Sequence, residues 1–361
     1  MNFTEAMNTI ELVTMTNDVP LIIGESGIGK TSMVRQIAKN NNLAIVNIDA
    51  NLLKEGEIGG LPFVNNGRTE YATHYKLTEV SSLLNDNKYD GVVLFIDELN
   101  RCEHAVQQEL MNLILNREIN GYKLDSSVKI IAAMNPSNKY DNFENSDYQV
   151  IDMDAAQEDR FVWVEVDSDS KEWIKWAMTD EADIEEEVIE FISQFPNYLH
   201  MPYANENIKP TPRSWERVSK AFKMYKNNKD KYSEAIIFNA VKGNVGGGIA
   251  TDFIGFARNF NSPLIKAENL LDYDFIPYEI KEMIQKENHS RLYMLAKRLV
   301  QLLNEEENRD KIKILGEVLM CYPKDLRLGV MKDIKEDYNG GLYKEILSQD
   351  TFIEAFFDIY E

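Results

Sequence analysis

The 361-residue chain is long enough for two or three domains at roughly 100–200 residues each, and its 44% hydrophobic and 27% charged content, with 16 Phe and 17 Tyr, suits a folded protein with a sizeable core. A net charge of -21, from 60 acidic and 39 basic side chains, fits an assembly kept soluble by its charge and argues against a protein whose main task is coating nucleic acid, though a local basic channel stays open. Cys102 and Cys321 alone cannot write a disulfide framework or a four-cysteine zinc site, and no apolar run approaches the ~18 residues of a membrane span, so a cytoplasmic protein in a reducing compartment is expected.

In chain order, the opening MNFTEAMNTIELVTMTNDVP carries acids and lacks a basic n-region, so it is no secretory signal. VPLII at 19–23 is the first strand-like run, and GESGIGKT follows it directly. Gly24, Gly27, Gly29, Lys30 and Thr31 fit G-x-x-x-x-G-K-[ST], between a strand and the start of a helix. Glycines let main-chain N–H groups approach phosphate oxygens, and a helix N-terminus adds free donors and a favourable dipole. The loop with its flanks, Gly24, Glu25, Ser26, Gly27, Ile28, Gly29, Lys30, Thr31 and Ser32, is therefore expected to hold ATP. Lys30 would sit on the β- and γ-phosphates and Thr31 on Mg²⁺.

LAIVNI at 43–48 is a second strand, and Asn66-Gly67 between two strand-like stretches reads as a hairpin with a type I′ turn. GVVLFIDELNR ends a third strand, 91–96, in Asp97 and Glu98, at the edge where ligands of open α/β sheets collect. Side chains alternate there, which separates the tasks: Asp97 is expected to hold the magnesium, usually through water, and Glu98 to polarise the attacking water. VKIIAAM at 128–134 and FVWVEV at 161–166 complete five unbroken apolar runs, the pattern of a parallel sheet covered on both faces. From about residue 169 strand signals stop and amphipathic helices follow. DSDS offers capping residues at a boundary near 167–171, and NFNSP at 259–263 marks a softer one. EADIEEEVIEF reads as a solvated acidic face with one buried stripe, and GNVGGGIATDF as a tight turn between helices.

GESGIGKT, VVLFIDELNR, IIAAMNPS and AAQEDRF, in that order and at these intervals, resemble the AAA+ ATPases, most closely the MoxR-like and dynein-related subgroup, over roughly residues 1 to 260. The resemblance implies an αβα P-loop core over 1–168 with a β-hairpin insert at about 58–76 and an α-helical lid over 169–260; it fades there, and 261–361 read from their own pattern as a helical extension of unknown role. It places Asn135 at the sensor that holds the lytic water, with a strand-ending turn before Pro136 as the alternative. Arg160 falls at the arginine finger aimed at a neighbouring subunit's ATP, the alternative being a surface ion pair with Glu158 or Asp159. Arg213 falls at the second sensor, with Arg217 one turn on as the other candidate. Arg101 and Arg117 match arginines common in the subgroup and are candidates for a subunit interface.

By that resemblance the chain is expected to work as a homo-oligomeric, hexameric ring hydrolysing Mg-ATP to remodel or assemble a protein partner, such as one bearing a von Willebrand factor A domain. Two rivals stay open: a nucleic-acid motor or loader, against which the acidity argues, and a nucleotide-gated scaffold with little turnover, against which Glu98 argues. Neither a serine-hydrolase elbow nor a zinc-like spacing around Cys102 and His104 is present.

Overall fold

The apolar runs at 19–23, 91–96 and 128–134 become strands buried on both faces, whereas those at 43–48 and 161–166 form the two edges of the sheet and keep exposed positions such as Asn47 and Val162. The computed structural model describes residues 1–86, 88–137, 150–204, 207–258, 260, 265–338 and 340–359. The strands are β1 (Pro20–Ile23), β2 (Leu43–Asp49), β3 (Pro62–Asn65), β4 (Arg68–Tyr71), β5 (Gly91–Asp97), β6 (Glu118–Ile119), β7 (Tyr122–Lys123), β8 (Lys129–Met134) and β9 (Val162–Glu165). Five of them form one parallel sheet in the order β2-β5-β8-β1-β9. Contacts divide the chain into two units, Met1–Glu172 with His200–Ser214, and Trp173–Leu199 with Trp215–Glu361.

In the first unit, alternation along β5 sends Val92, Leu94 and Ile96 to one face and Val93 and Phe95 to the other. On the second face, Ala6 and Ile10 of α1 (Phe3–Met15) and Met33, Val34 and Ile37 of α2 (Lys30–Asn40) close a core over Phe95. On the first, Leu77 and Val80 of α3 (Tyr75–Asn85) and Val106 and Leu110 of α4 (His104–Asn116) do the same. The result is an α/β fold of three layers, with the helix-bearing turns after β1 and β5 at one sheet edge. Complete burial of Phe95 contributes roughly 1.5–3 kcal/mol by area.

The hairpin β3–β4 stands off this core with every residue exposed. Asn66 (φ 51) and Gly67 (φ 75) make the type I′ turn expected of that pair. A second hairpin, β6–β7, turns on Asn120 (φ 45) and Gly121 (φ 88) and was not foreseen; its two-residue strands are too short to leave an alternating pattern. A four-residue helix, α5 (Ala155–Glu158), precedes β9 and is capped by Asp154.

In the second unit the described residues are helical and close two apolar clusters. One gathers α6 (Ser170–Ala177), α7 (Glu186–Gln194), α8 (Pro212–Asn227), α9 (Glu234–Val245) and α10 (Gly247–Arg258) around Phe191, Trp215 and Phe253. Those three rings meet at 5.3–5.7 Å between centroids. Asp169 accepts from the N–H groups of Lys171 and Glu172 at the start of α6, and Gly246 (φ 92) makes the turn between α9 and α10. The acidic face of α7 differs from expectation: Glu187 and Glu190 are buried, because Lys226 reaches Glu187 at 2.7 Å and Arg291 reaches Glu190 at 3.3 Å. The other cluster gathers helices from 267 to 357, where Arg327, 3% exposed, donates to the carbonyls of Met320, Tyr322 and Ala355 and to Asp358. Among the described residues no helix is long and apolar enough to cross a membrane.

Candidate functional site

The loop 24–29 leaves the C-terminal end of β1 and enters α2. Its glycines are there for space and for backbone form. A side chain at Gly24 would press on the Val166 carbonyl, while Gly27 (φ 82) and Gly29 (φ 106) hold left-handed conformations that favour glycine. Gly27 also leaves room for Thr211, and its carbonyl accepts the Arg213 N–H at 3.3 Å, so residues 211–213 lie on the loop. Gly29 caps α2 without a side-chain bond, which leaves the first-turn N–H groups of the helix unclaimed by a cap. Ile28 is anchored in the core and Glu25 is buried, whereas Ser26 and Ser32 are exposed.

Lys30 is 9% exposed, and its ammonium donates to Gly24 O at 2.6 Å, Glu25 O at 3.2 Å and Asn135 Oδ1 at 3.0 Å. Burial pushes its pKa down to about 8, against the pull of Asp97, Glu98 and Glu25 and with a small push from Arg213. Thr31 Oγ1 donates to Asp97 Oδ2 at 3.0 Å, and Asp97 Oδ1 accepts the Glu98 N–H at 2.9 Å. Glu98 Oε2 accepts from Arg101 Nη1 at 2.9 Å and Asn135 Nδ2 at 3.3 Å. Lys30, Thr31, Asp97, Glu98 and Asn135 thus form one hydrogen-bonded group, drawn from the start of α2 and the ends of β5 and β8. The acidic pair does not cap a helix: α4 begins only at His104, with Glu103 at its N-cap.

The remaining arginines separate by their surroundings. Arg160 is exposed after α5. Arg213 is exposed as well, with its backbone on the loop. Arg117 spends its guanidinium on the carbonyls of Asp125 and Val128, both at 2.7 Å, in the loop between β7 and β8. Two groups at the site escaped sequence reading. Asp49, at the end of β2 in register with Asp97, has its carboxyl pushed up in pKa by burial and then by Glu98 and Asp97. Asn100 is 2% exposed and bonds to Asn135. The one local signal was a polar residue two positions past the acidic pair. Burial raises the Cys102 thiol to about 11, and no cluster of three metal-ligating side chains occurs among the described residues.

A parallel five-stranded sheet with this loop and this acidic strand end defines a P-loop nucleotide-binding domain. Residues 20–161 match the family described as AAA domain (dynein-related subfamily), and this part of the chain is an AAA+ ATPase domain, a family whose general activity is ATP hydrolysis. Over 164 residues the chain is 27% identical to the "Putative chaperone BssE" of Thauera aromatica, a match covering 43% of this chain; the chain spans about half, 52%, of that relative. Among solved structures it is similar to a mutant RuvB of Thermotoga maritima (18% identity, 75% of this chain and 80% of that one, TM-score 0.40). NtrX of Brucella abortus in complex with ADP is another (15% identity, 87% and 68%, TM-score 0.41). These structural likenesses are loose, and the assignment rests on the matched segment and the site.

Proposed function

We propose that the chain is a Mg-ATP-dependent ATPase of MoxR-like type that couples hydrolysis in an oligomeric ring to the remodelling or assembly of a protein partner. The observation that carries the reading is the Asn135 amide bridging Lys30 and Glu98, since it joins the phosphate-gripping lysine to the proposed base through one side chain. The donor set fits the metal: a hydroxyl and a carboxylate, Thr31 and Asp97, lie 3.0 Å apart, and hard oxygen ligands suit Mg²⁺. When bound, that ion neutralises charge on the β- and γ-oxygens.

In this reading the main-chain donors of 24–31 and the Lys30 ammonium bind and orient the triphosphate. Glu98 takes the proton of the attacking water, and Asn135 fixes that water's direction. Arg160, exposed after α5, acts on the ATP of the adjacent subunit. Arg213 reports on the nucleotide; its main-chain bond to Gly27 supports it over Arg217. Residues 169–260 act as the lid and 261–361 as an extension of separate role. The printed name of the BssE relative supports a chaperone task, and the exposed hairpin β3–β4 supports contact with a protein.

The test is Glu98→Gln. It is expected to keep ATP affinity and lose hydrolysis by about 10²–10⁴-fold. Turnover equal to that of the unaltered chain removes the role given to Glu98. Stimulation by single-stranded DNA, with none by any protein, moves the nucleic-acid motor ahead.

A further inference from the structure

Asn100 has no part in the mechanism above, yet its amide is buried at the centre of the site. It lies three residues beyond Asp97, where the main chain has already left β5, and it faces the end of the neighbouring strand β8. Its Nδ2 donates to the Asn135 carbonyl at 2.8 Å, and its Oδ1 accepts the Asn135 N–H at 3.3 Å. A carboxamide carries a donor and an acceptor side by side, as a peptide group does, so this side chain continues the β5–β8 ladder after the strands have parted. One main-chain rung precedes it, from Leu99 N–H to Ala133 O at 3.0 Å. Immediately before those rungs sits Glu98 with φ 58, a left-handed form uncommon in residues other than glycine.

The Asn135 side chain depends on this backbone clamp. Its orientation is set by its partners: an ammonium can only donate, so Oδ1 faces Lys30, and a carboxylate can only accept, so Nδ2 faces Glu98. Both bonds require the Cα of Asn135 to stay where the ladder holds it. We propose that Asn100 is a positioning residue of the ATPase reaction, gripping both main-chain groups of Asn135 so that its amide stays between Lys30 and Glu98. This rests on the hydrolase reading of the site.

Two substitutions in the full chain test it. Asn100→Ala removes both rungs and is expected to lower kcat about 10²-fold, the scale of an ångström-sized misplacement. Its dissociation constant for ADP should stay within about threefold of the original, because the loop 24–31 is untouched. Asn100→Asp gives a sharper signature. A protonated carboxyl offers one O–H and one C=O and can serve both Asn135 groups, whereas the ionised form only accepts and repels the carbonyl. Its kcat relative to the unaltered chain should therefore recover as pH falls from about 8 to about 6, burial having raised the carboxyl pKa. The same ratio for Asn100→Ala should stay flat.

Unchanged turnover in Asn100→Ala, loss of ADP affinity alongside turnover, or a flat ratio for Asn100→Asp overturns the proposal. Should Asn100→Ala fail to fold, the nearly isosteric Asn100→Asp carries the test alone. A starting protein that binds ADP yet never turns over ATP defeats the hydrolase reading, and hydrogen exchange at the Asn135 amide then decides the clamp. Lost protection in Asn100→Ala, which removes the acceptor of that N–H, upholds it, and unchanged protection ends it.

Discussion

His200 opens the segment that returns to the phosphate loop, and its imidazole resists protonation. Burial pushes its pKa down to about 4 from 6.5, with Asp167 pulling the other way. Between those values the unfolded chain binds the proton and the folded chain does not, so stability falls as pH drops from 6.5 towards 4. The expected outcome is a steeper loss of thermal stability on acidification in the unaltered protein than in His200→Gln. Equal slopes would show that His200 bears none of that cost. At this scale the candidate site was largely legible, because Gly24 to Thr31 and the pair Asp97 and Glu98 are each contiguous and each role is written in residue type. What stayed hidden was lateral: Asn100 and Asp49 matter through a neighbouring strand 35 or 48 residues away in sequence, and no local pattern carries that register.

Elements followed the same rule. All five sheet strands were visible as apolar runs; the inner three are buried on both faces, and the edge strands β2 and β9 keep apolar residues beside half-exposed positions. The hairpin at Asn66-Gly67 was visible because four-residue strands flank it, and the one at Asn120-Gly121 was not. The buried acids of α7 were misjudged because their partners, Lys226 and Arg291, come from helices whose packing composition does not reveal. The root of the exposed hairpin makes its own prediction. Gly60 has φ 83, and a side chain there would run into the Ala72 main chain, whose N–H bonds to Leu61 O at 2.9 Å. Gly60→Ala should cost roughly 1–3 kcal/mol locally and open the hairpin base, with ADP affinity kept. Limited proteolysis reads this as faster cleavage between 60 and 73; an unchanged cleavage pattern would mean the turn absorbs the methyl group.

For the molecule as a whole, the proposed ring makes each ATP the business of two chains. Arg160→Ala should bind nucleotide and lose hydrolysis, on the order of 10³-fold for an arginine finger. Mixed with Lys30→Ala protein, it should regain part of the activity, because one interface of the mixed assembly then holds an intact lysine and an intact arginine. No recovery, once light scattering shows that the two variants co-assemble, counts against a shared site. The least legible region at this scale was 261–361, where amphipathic periodicity announces helices but not which face meets which. Gly316, for instance, lies directly against the Thr351 and Phe352 backbone, a close approach that only the folded chain displays.

The path of the chain sets a practical limit on dissecting it. The polypeptide passes from one unit to the other at 172–173, goes back at 199–200, and crosses again at 214–215. A fragment ending at the first crossing would keep the loop's lysine and both strand-end acids but forfeit Thr211 and Arg213. A single cut at 214–215 keeps every residue of the first unit, with 173–199 carried along, whereas a product cut short at the first crossing that fails to bind ADP would report the missing return strap rather than a fault in the loop.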